Sequence, residues 1–144
     1  MNIPNNSLTE EIKEIVNLCE ELKEDYGDDS SWFKPPATDE EIIALEVKHE
    51  IKIPESYKDW LRFTDSCQIR NLLARLFGVQ EMRVNVEHYP EDYVIIGSII
   101  GDGEDICFSK TTGEIICFSN EQIDEYNDFK VFLNNTIIRM LRKS

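Results

Sequence analysis

Residues that could carry chemistry are plentiful in this chain, but their spacing does not assemble a reaction. The two histidines, His49 and His88, are far apart, and Ser98, Ser109 and Ser119 lack the Gly-x-Ser-x-Gly setting of a nucleophile elbow. A triad therefore has no members to name. The cysteines Cys19, Cys67, Cys107 and Cys117 occur without the Cys-x-x-Cys or Cys/His spacing that a zinc ion needs. Cys107 and Cys117 each sit in an Ile-Cys-Phe tripeptide on either side of an expected turn, which would set them face to face across a hairpin. In a reducing compartment they stay thiols and pack as small hydrophobes. Gly101-Asp102-Gly103-Glu104 resembles a phosphate cradle only in its glycines, because no Gly-Lys-Ser/Thr follows and its acids repel phosphate. The acidic stretch at residues 20–29 lacks the ligand spacing of a calcium loop. Carboxylate pairs abound in so acidic a chain that no single pair singles out a site. The reading is of a non-enzyme with no catalytic residue, no metal ligand and no cofactor.

Charge is the more informative signal. Twenty-nine acidic residues stand against 15 basic ones in 144, a formal charge of −14. Nucleic-acid binding needs Lys and Arg to displace counterions from phosphates, so a nucleic-acid partner is disfavoured. A protein with a basic surface is an allowed partner. The N-terminal residues lack a basic segment followed by a continuous apolar one, and no apolar run reaches the ~20 residues that span a bilayer. The expectation is a cytoplasmic chain with no membrane partner, monomeric or weakly dimeric.

The elements that would position any site follow from periodicity. Ser7 or Thr9 can cap a first helix in which Ile12, Ile15, Val16, Cys19 and Leu22 form an apolar stripe, with Gly27 at its end. Trp32 and Phe33 precede two prolines, which impose an extended entry and leave the aromatics free to fold onto the core. Thr38 with Glu41 predicts a capping box, and Ile42, Leu45 and His49 share one stripe of the helix it opens, with Ile43 and Val47 beside it. Pro54 suits the start of the next helix, where Tyr57, Trp60, Leu61 and Thr64 recur at helical spacing. The two helices are expected to pack on each other, with Tyr57, Trp60 and His49 in the seam. Residues 68–83 are read as extended, with 79–82 as a turn; residues 93–100 are a strand, and 105–109 with 114–119 form a hairpin around Thr112-Gly113. Residues 121–127 read as a polar loop or short turn. A helix carrying Phe129, Phe132, Leu133, Ile137, Met140 and Leu141 closes the chain. The fold class is α+β: one domain over residues 1–144, an antiparallel or mixed sheet of about four strands, an N-terminal helix, a central helix pair and a C-terminal helix.

The run from Pro-Pro-Ala-Thr38 through Ile42, Glu46, Ile53, Pro54, Tyr57, Trp60 and Leu61 resembles the signature of the SUKH superfamily, the Smi/Knr-like domains. That signature opens T-x-x-E-I, places an acid inside the first helix, and continues L-P-x-x-Y-x-x-aromatic-L, with Ile53 here where Leu is usual. Downstream the family commonly carries Asn-Gly or Asp-Gly where this chain has Asp65-Ser66, while Gly97 after an apolar run and Gly113 at a hairpin agree again. The resemblance covers residues 32–141 and leaves 1–29 as an N-terminal helical extension.

The resemblance implies a binding module, in bacteria an immunity or antitoxin-like protein that neutralises a cognate polymorphic toxin such as a nuclease. The acidic charge agrees, because a nuclease presents a basic face. The residues expected to face such a partner are Asp102, Glu104 and Asp105 of the acidic turn, with Asp28 and Asp29. A regulatory or scaffold adaptor of the same family and a small α+β hydrolase are the alternatives.

Overall fold

A computed structural model describes residues 2–119 and 123–143. Seven strands form one sheet in chain order, every neighbouring pair antiparallel: β1 (Trp32–Phe33), β2 (Cys67–Ile69), β3 (Ala74–Leu76), β4 (Tyr93–Ile99), β5 (Glu104–Ser109), β6 (Ile115–Phe118) and β7 (Ile123–Tyr126). The sheet thus exceeds the expected four strands. β1 to β3 are two or three residues long, too short for an alternating pattern to show. β7, read as polar loop, pairs along its whole length with β6. Of that loop, residues 121 and 122 lie outside the described residues.

The helices are α1 (Thr9–Tyr26), α2 (Asp39–His49), α3 (Glu55–Leu61) and a continuous C-terminal helix built of α4 (Phe129–Phe132), a π-helical stretch (Leu133–Ile138) and α5 (Arg139–Arg142). In α1, Ile12, Ile15 and Leu22 are buried, as the stripe requires, and Gly27 caps the helix in the left-handed region. Neither Ser7 nor Thr9 caps it: Leu8 holds that position, and the Ser7 hydroxyl donates instead to Asp59 at 2.5 Å. The C-terminal helix buries Ile137 and Ile138 together, which the wider π turn permits where strict 3.6-residue spacing would expose one.

The register sorts the sheet into rows. Phe33, Cys67, Leu76, Gly97, Ile106, Cys117 and Asp124 share one row, and apart from its two ends it is buried. A neighbouring row on the same, helix-covered face runs Ile69, Ala74, Ile99, Glu104. The opposite face carries Gln68, Arg75, Ser98, Asp105 and Phe118, and a small second core of Ile95, Cys107 and Ile116 lies there under Phe77, Tyr89 and Tyr93. Cys107 pairs with Ile116 and Cys117 with Ile106, so the two thiols point to opposite faces rather than at each other. Burial raises both to about 12, the pattern of inert packed cysteines.

At Gly97 the register shifts, and a Cβ there would sit 2.3 Å from the Arg75 carbonyl. Only glycine lets β3 approach β4 so closely.

Candidate functional site

The signature residues prove to be the joints of the corner that the sequence singled out. Thr38 accepts from the Glu41 amide at 3.1 Å while the Glu41 carboxylate accepts from the Thr38 amide at 3.0 Å, the reciprocal box that was expected. Ile42 is the one buried residue of α2, and Ile43 and Val47 face solvent. Glu46 reaches across the corner: its carboxylate accepts from the Ile53 amide at 2.8 Å and pairs with Lys58 at 3.2 Å, both side chains largely shielded. Its acidity inside the helix thus serves the link between α2 and α3. Pro54, at φ −56°, stands at the N-cap of α3 rather than inside its first turn. Gly113 turns the β5–β6 hairpin at φ +79°.

Tyr57, Trp60 and Leu61 are fully or almost fully buried, but the expected seam between α2 and α3 is not where they pack. The Tyr57 ring meets Phe129 at 4.8 Å edge-on, and Trp60 meets Phe129 at 5.6 Å and Phe63 at 5.4 Å. α3 therefore docks on the C-terminal helix. The Tyr57 hydroxyl donates to the Phe77 carbonyl at 2.6 Å, with the Ile96 carbonyl at 3.4 Å. Burial pushes its phenol well above the usual range, so it stays a donor. His49 lies half-exposed beside Leu45 and Met82 and, among the described residues, holds no hydrogen bond to a nucleophile or carboxylate. The corner is structural.

Sequence reasoning missed a polar network behind that corner. Arg75 donates to Ser66 Oγ at 2.8 Å and to the Cys67 and Leu76 carbonyls, and it pairs with Glu81. Glu81 also accepts from Ser66 at 2.6 Å and from the Gly78 amide at 3.1 Å. Burial works against its ionised form, but the Ser66 hydroxyl, the Gly78 amide and Arg75 outweigh it and hold the carboxyl below its ordinary range. Trp32 stacks on the Arg75 guanidinium at 4.8 Å. Every member is satisfied by another, so the network pins the loop after β3. Asp65 and Ser66 avoid positive φ altogether, so the turn after α3 does not need the glycine that the resemblance led one to expect.

The acids expected to meet a partner divide. Asp28 is engaged: it accepts from the Ser30 hydroxyl at 2.5 Å and from Arg70 at 2.7 Å, contacts that draw its carboxyl down to about 2. Asp29 is exposed next to it. Asp105 lies on the sheet face away from the helices, where it accepts from the Tyr89 hydroxyl at 2.9 Å. Glu104 points to the helix face, at the end of a buried row. Burial, then Asp102 and Asp124, raise its carboxyl above the ordinary range. Among the described residues, none of Asp102, Glu104 and Asp124 forms an ion pair with a cation. Asp124 was not singled out by the sequence, because its strand read as loop. The signal was there in part: Ile123 and Tyr126 bracket two acids.

These groups share one end of the sheet. In a meander the β2–β3 turn and the β4–β5 turn emerge on the same side, and here they touch: the Ile100 amide donates to the Leu73 carbonyl at 3.0 Å. Leu72, in the first turn, is 72% exposed. Between that turn and the C-terminal helix lies a groove of about 500 Å³ lined by Asp28, Ser30, Arg70, Asn71, Leu72, Leu73 and Met140. No helix among the described residues is long and apolar enough to cross a membrane, and no group of three or more His, Cys, Asp or Glu there is placed to hold a metal.

A search of curated proteins finds no match to the chain. The sequence profile of the SMI1 / KNR4 family (SUKH-1) matches residues 36–135, from the second proline of the corner into the C-terminal helix. That stretch holds β2 to β7 and the whole α2–α3 corner, and it leaves α1 and β1 outside it. With the match covering more than half of its 144 residues, the chain belongs to the SMI1 / KNR4 family (SUKH-1).

Proposed function

We propose that this chain is a non-enzymatic, cytoplasmic immunity protein that binds and neutralises a cognate bacterial toxin with a basic surface, such as a nuclease. The observation that carries this reading is the acidic end of the sheet. Asp102, Glu104 and Asp124 lie together without an ion-paired cation among the described residues, and burial, then Asp102 and Asp124, raise the Glu104 carboxyl above its ordinary range. Uncompensated like charges cost stability, and a fold retains such a cost where a partner removes it. A basic toxin face would neutralise the cluster, and the overall charge of −14 would steer the encounter. Family membership supports a protein partner. Of the five acids expected to face it, Asp102 and Glu104 suit the role best, joined by Asp124. Asp28 serves the rim through Arg70, Asp29 extends it, and Asp105 stands apart on the other face.

The test is protection. Where the gene immediately upstream encodes a toxin domain, that domain is expressed in a sensitive bacterial host with or without this chain, and growth is measured. Rescue of growth by this chain, through a complex that survives gel filtration, is the expected result. Continued killing, or a neighbouring gene of metabolic function, overturns the reading.

A further inference from the structure

The groove at the acidic end supplies what the charges alone do not, a place for an apolar side chain. We infer that the groove between residues 70–73 and the C-terminal helix receives one apolar side chain carried on a basic polypeptide segment. This deepens the reading above by naming the chemistry of the partner's contact.

Leu72 is exposed on the β2–β3 turn, and Leu73 and Met140 line the groove with it. Ile100, 36% exposed on the touching turn, extends the apolar surface toward Asp102. A leucine on a short turn gains nothing for the fold from that position; it is a knob with a hollow at its base. The volume of about 500 Å³ lies in the range of drug-sized ligand sites, room for an apolar side chain together with the backbone that carries it. The rim decides the occupant. Asp28 neutralises Arg70, Glu14 pairs with Arg142, and Asp102, Glu104 and Asp124 remain. Even counting Arg139 and Lys143, exposed at the end of the same helix, the five acids named outnumber the four cations at this end. A second copy of this chain would bring −14 to −14, and a nucleic acid would bring phosphates, so both are repelled. A segment with Lys or Arg on both sides of a Leu-sized residue meets the rim with its charges and the groove with its centre, the arrangement of a buried anchor inside a polar ring.

A separate exposed apolar pair, Ile43 and Val47 on α2, stands on a helix surface and serves as the comparison. The experiment uses synthetic 12-residue peptides with lysine flanks and a central Leu, a central Ala, or a central Leu between Asp flanks, titrated into the 15N-labelled full chain. The Lys-Leu-Lys peptide is expected to shift the amides of residues 70–73 and 100–103. Leu72→Asp should weaken its binding about tenfold, the equivalent of losing most of one leucine contact. Asp102→Asn with Glu104→Gln should weaken it at low salt and flatten its salt dependence. The Ala-centred and Asp-flanked peptides should bind more weakly still. Equal binding of the Ala-centred peptide, shifts centred on Ile43 and Val47, or no shifts overturn the groove assignment. These readouts do not involve the toxin, so failure of growth protection would leave them standing and their failure would leave protection standing.

Discussion

Tyr57→Phe isolates one hydrogen bond at the centre of the corner. The ring is fully buried and packs edge-on against Phe129 at 4.8 Å, contacts that phenylalanine keeps. What goes is the hydroxyl, 2.6 Å from the Phe77 carbonyl. The Ile96 carbonyl, its distant second acceptor, also takes the Phe77 amide at 2.7 Å and remains paired. Phe77 is left with a carbonyl facing an apolar ring, and an orphaned buried acceptor costs about 1–3 kcal/mol. For a chain of this size that corresponds to a fall in Tm of about 3–10 °C. Urea unfolding followed by tryptophan fluorescence should show a lower midpoint with an unchanged slope. Amide exchange should quicken at Phe77 and Gly78 while α1 is unaffected. A variant as stable as the parent, or exchange that quickens uniformly, would refute the idea that this hydroxyl ties α3 to the β3–β4 connection.

Four further outcomes follow from the same contacts. Glu46→Ala should cost about 1–3 kcal/mol by leaving the Ile53 amide unpaired and Lys58 without its partner, and Glu46→Gln should cost less because an acceptor remains; equal losses in urea titrations would contradict this. Gly97→Ala should destabilise by at least about 1–3 kcal/mol, since the new methyl meets the Arg75 carbonyl, and a silent substitution would show that β3 can move away freely. Asp28 has a folded-state value near 2, below its unfolded value of about 3.9, so the stability from its Ser30 and Arg70 contacts is complete above about pH 4 and is lost as pH falls towards 2. Urea midpoints of the parent and Asp28→Asn should therefore converge near pH 2 and separate above pH 4, and a gap constant with pH would oppose this. Glu104 is shifted the other way, so its penalty is present when ionised and relieved as pH falls through its raised folded value. Glu104→Gln should raise Tm at neutral pH by about 1–3 °C, from a like-charge repulsion of about 0.2–1 kcal/mol, and a drop in Tm there would mean that the carboxylate is supported rather than crowded.

Much of this fold was legible where local chemistry dictates local structure. The capping box at Thr38, the stripe of α1 and the hairpin at Thr112-Gly113 depend on neighbours a few residues away. The failures share one physical cause: periodicity reports that a face is buried, never against what. Tyr57 and Trp60 repeat as a buried face should, yet their partner is Phe129, far along the chain, rather than α2. Cys107 and Cys117 look symmetric about their turn, but antiparallel pairing opposes each to an isoleucine, and one residue of register reverses a side chain's face. The same alternation splits Glu104 from Asp105. Asp124 joined the acidic end only once a four-residue edge strand was found in what reads as polar loop. The Arg75–Glu81–Ser66 network left no sequence signal, because its members are unremarkable polar residues until the sheet brings them together.

The central claim is that an acidic sheet end receives a basic protein. It is tested most directly by titrating the toxin proposed as its partner into this chain calorimetrically at several salt concentrations, with the parent and with the Asp102→Asn, Glu104→Gln, Asp124→Asn triple variant. If the proposal holds, removing these three charges should weaken binding at low salt by about tenfold or more and flatten the dependence of log Kd on log salt. An affinity and a salt slope identical to the parent's would contradict the account and move the binding surface elsewhere on the fold.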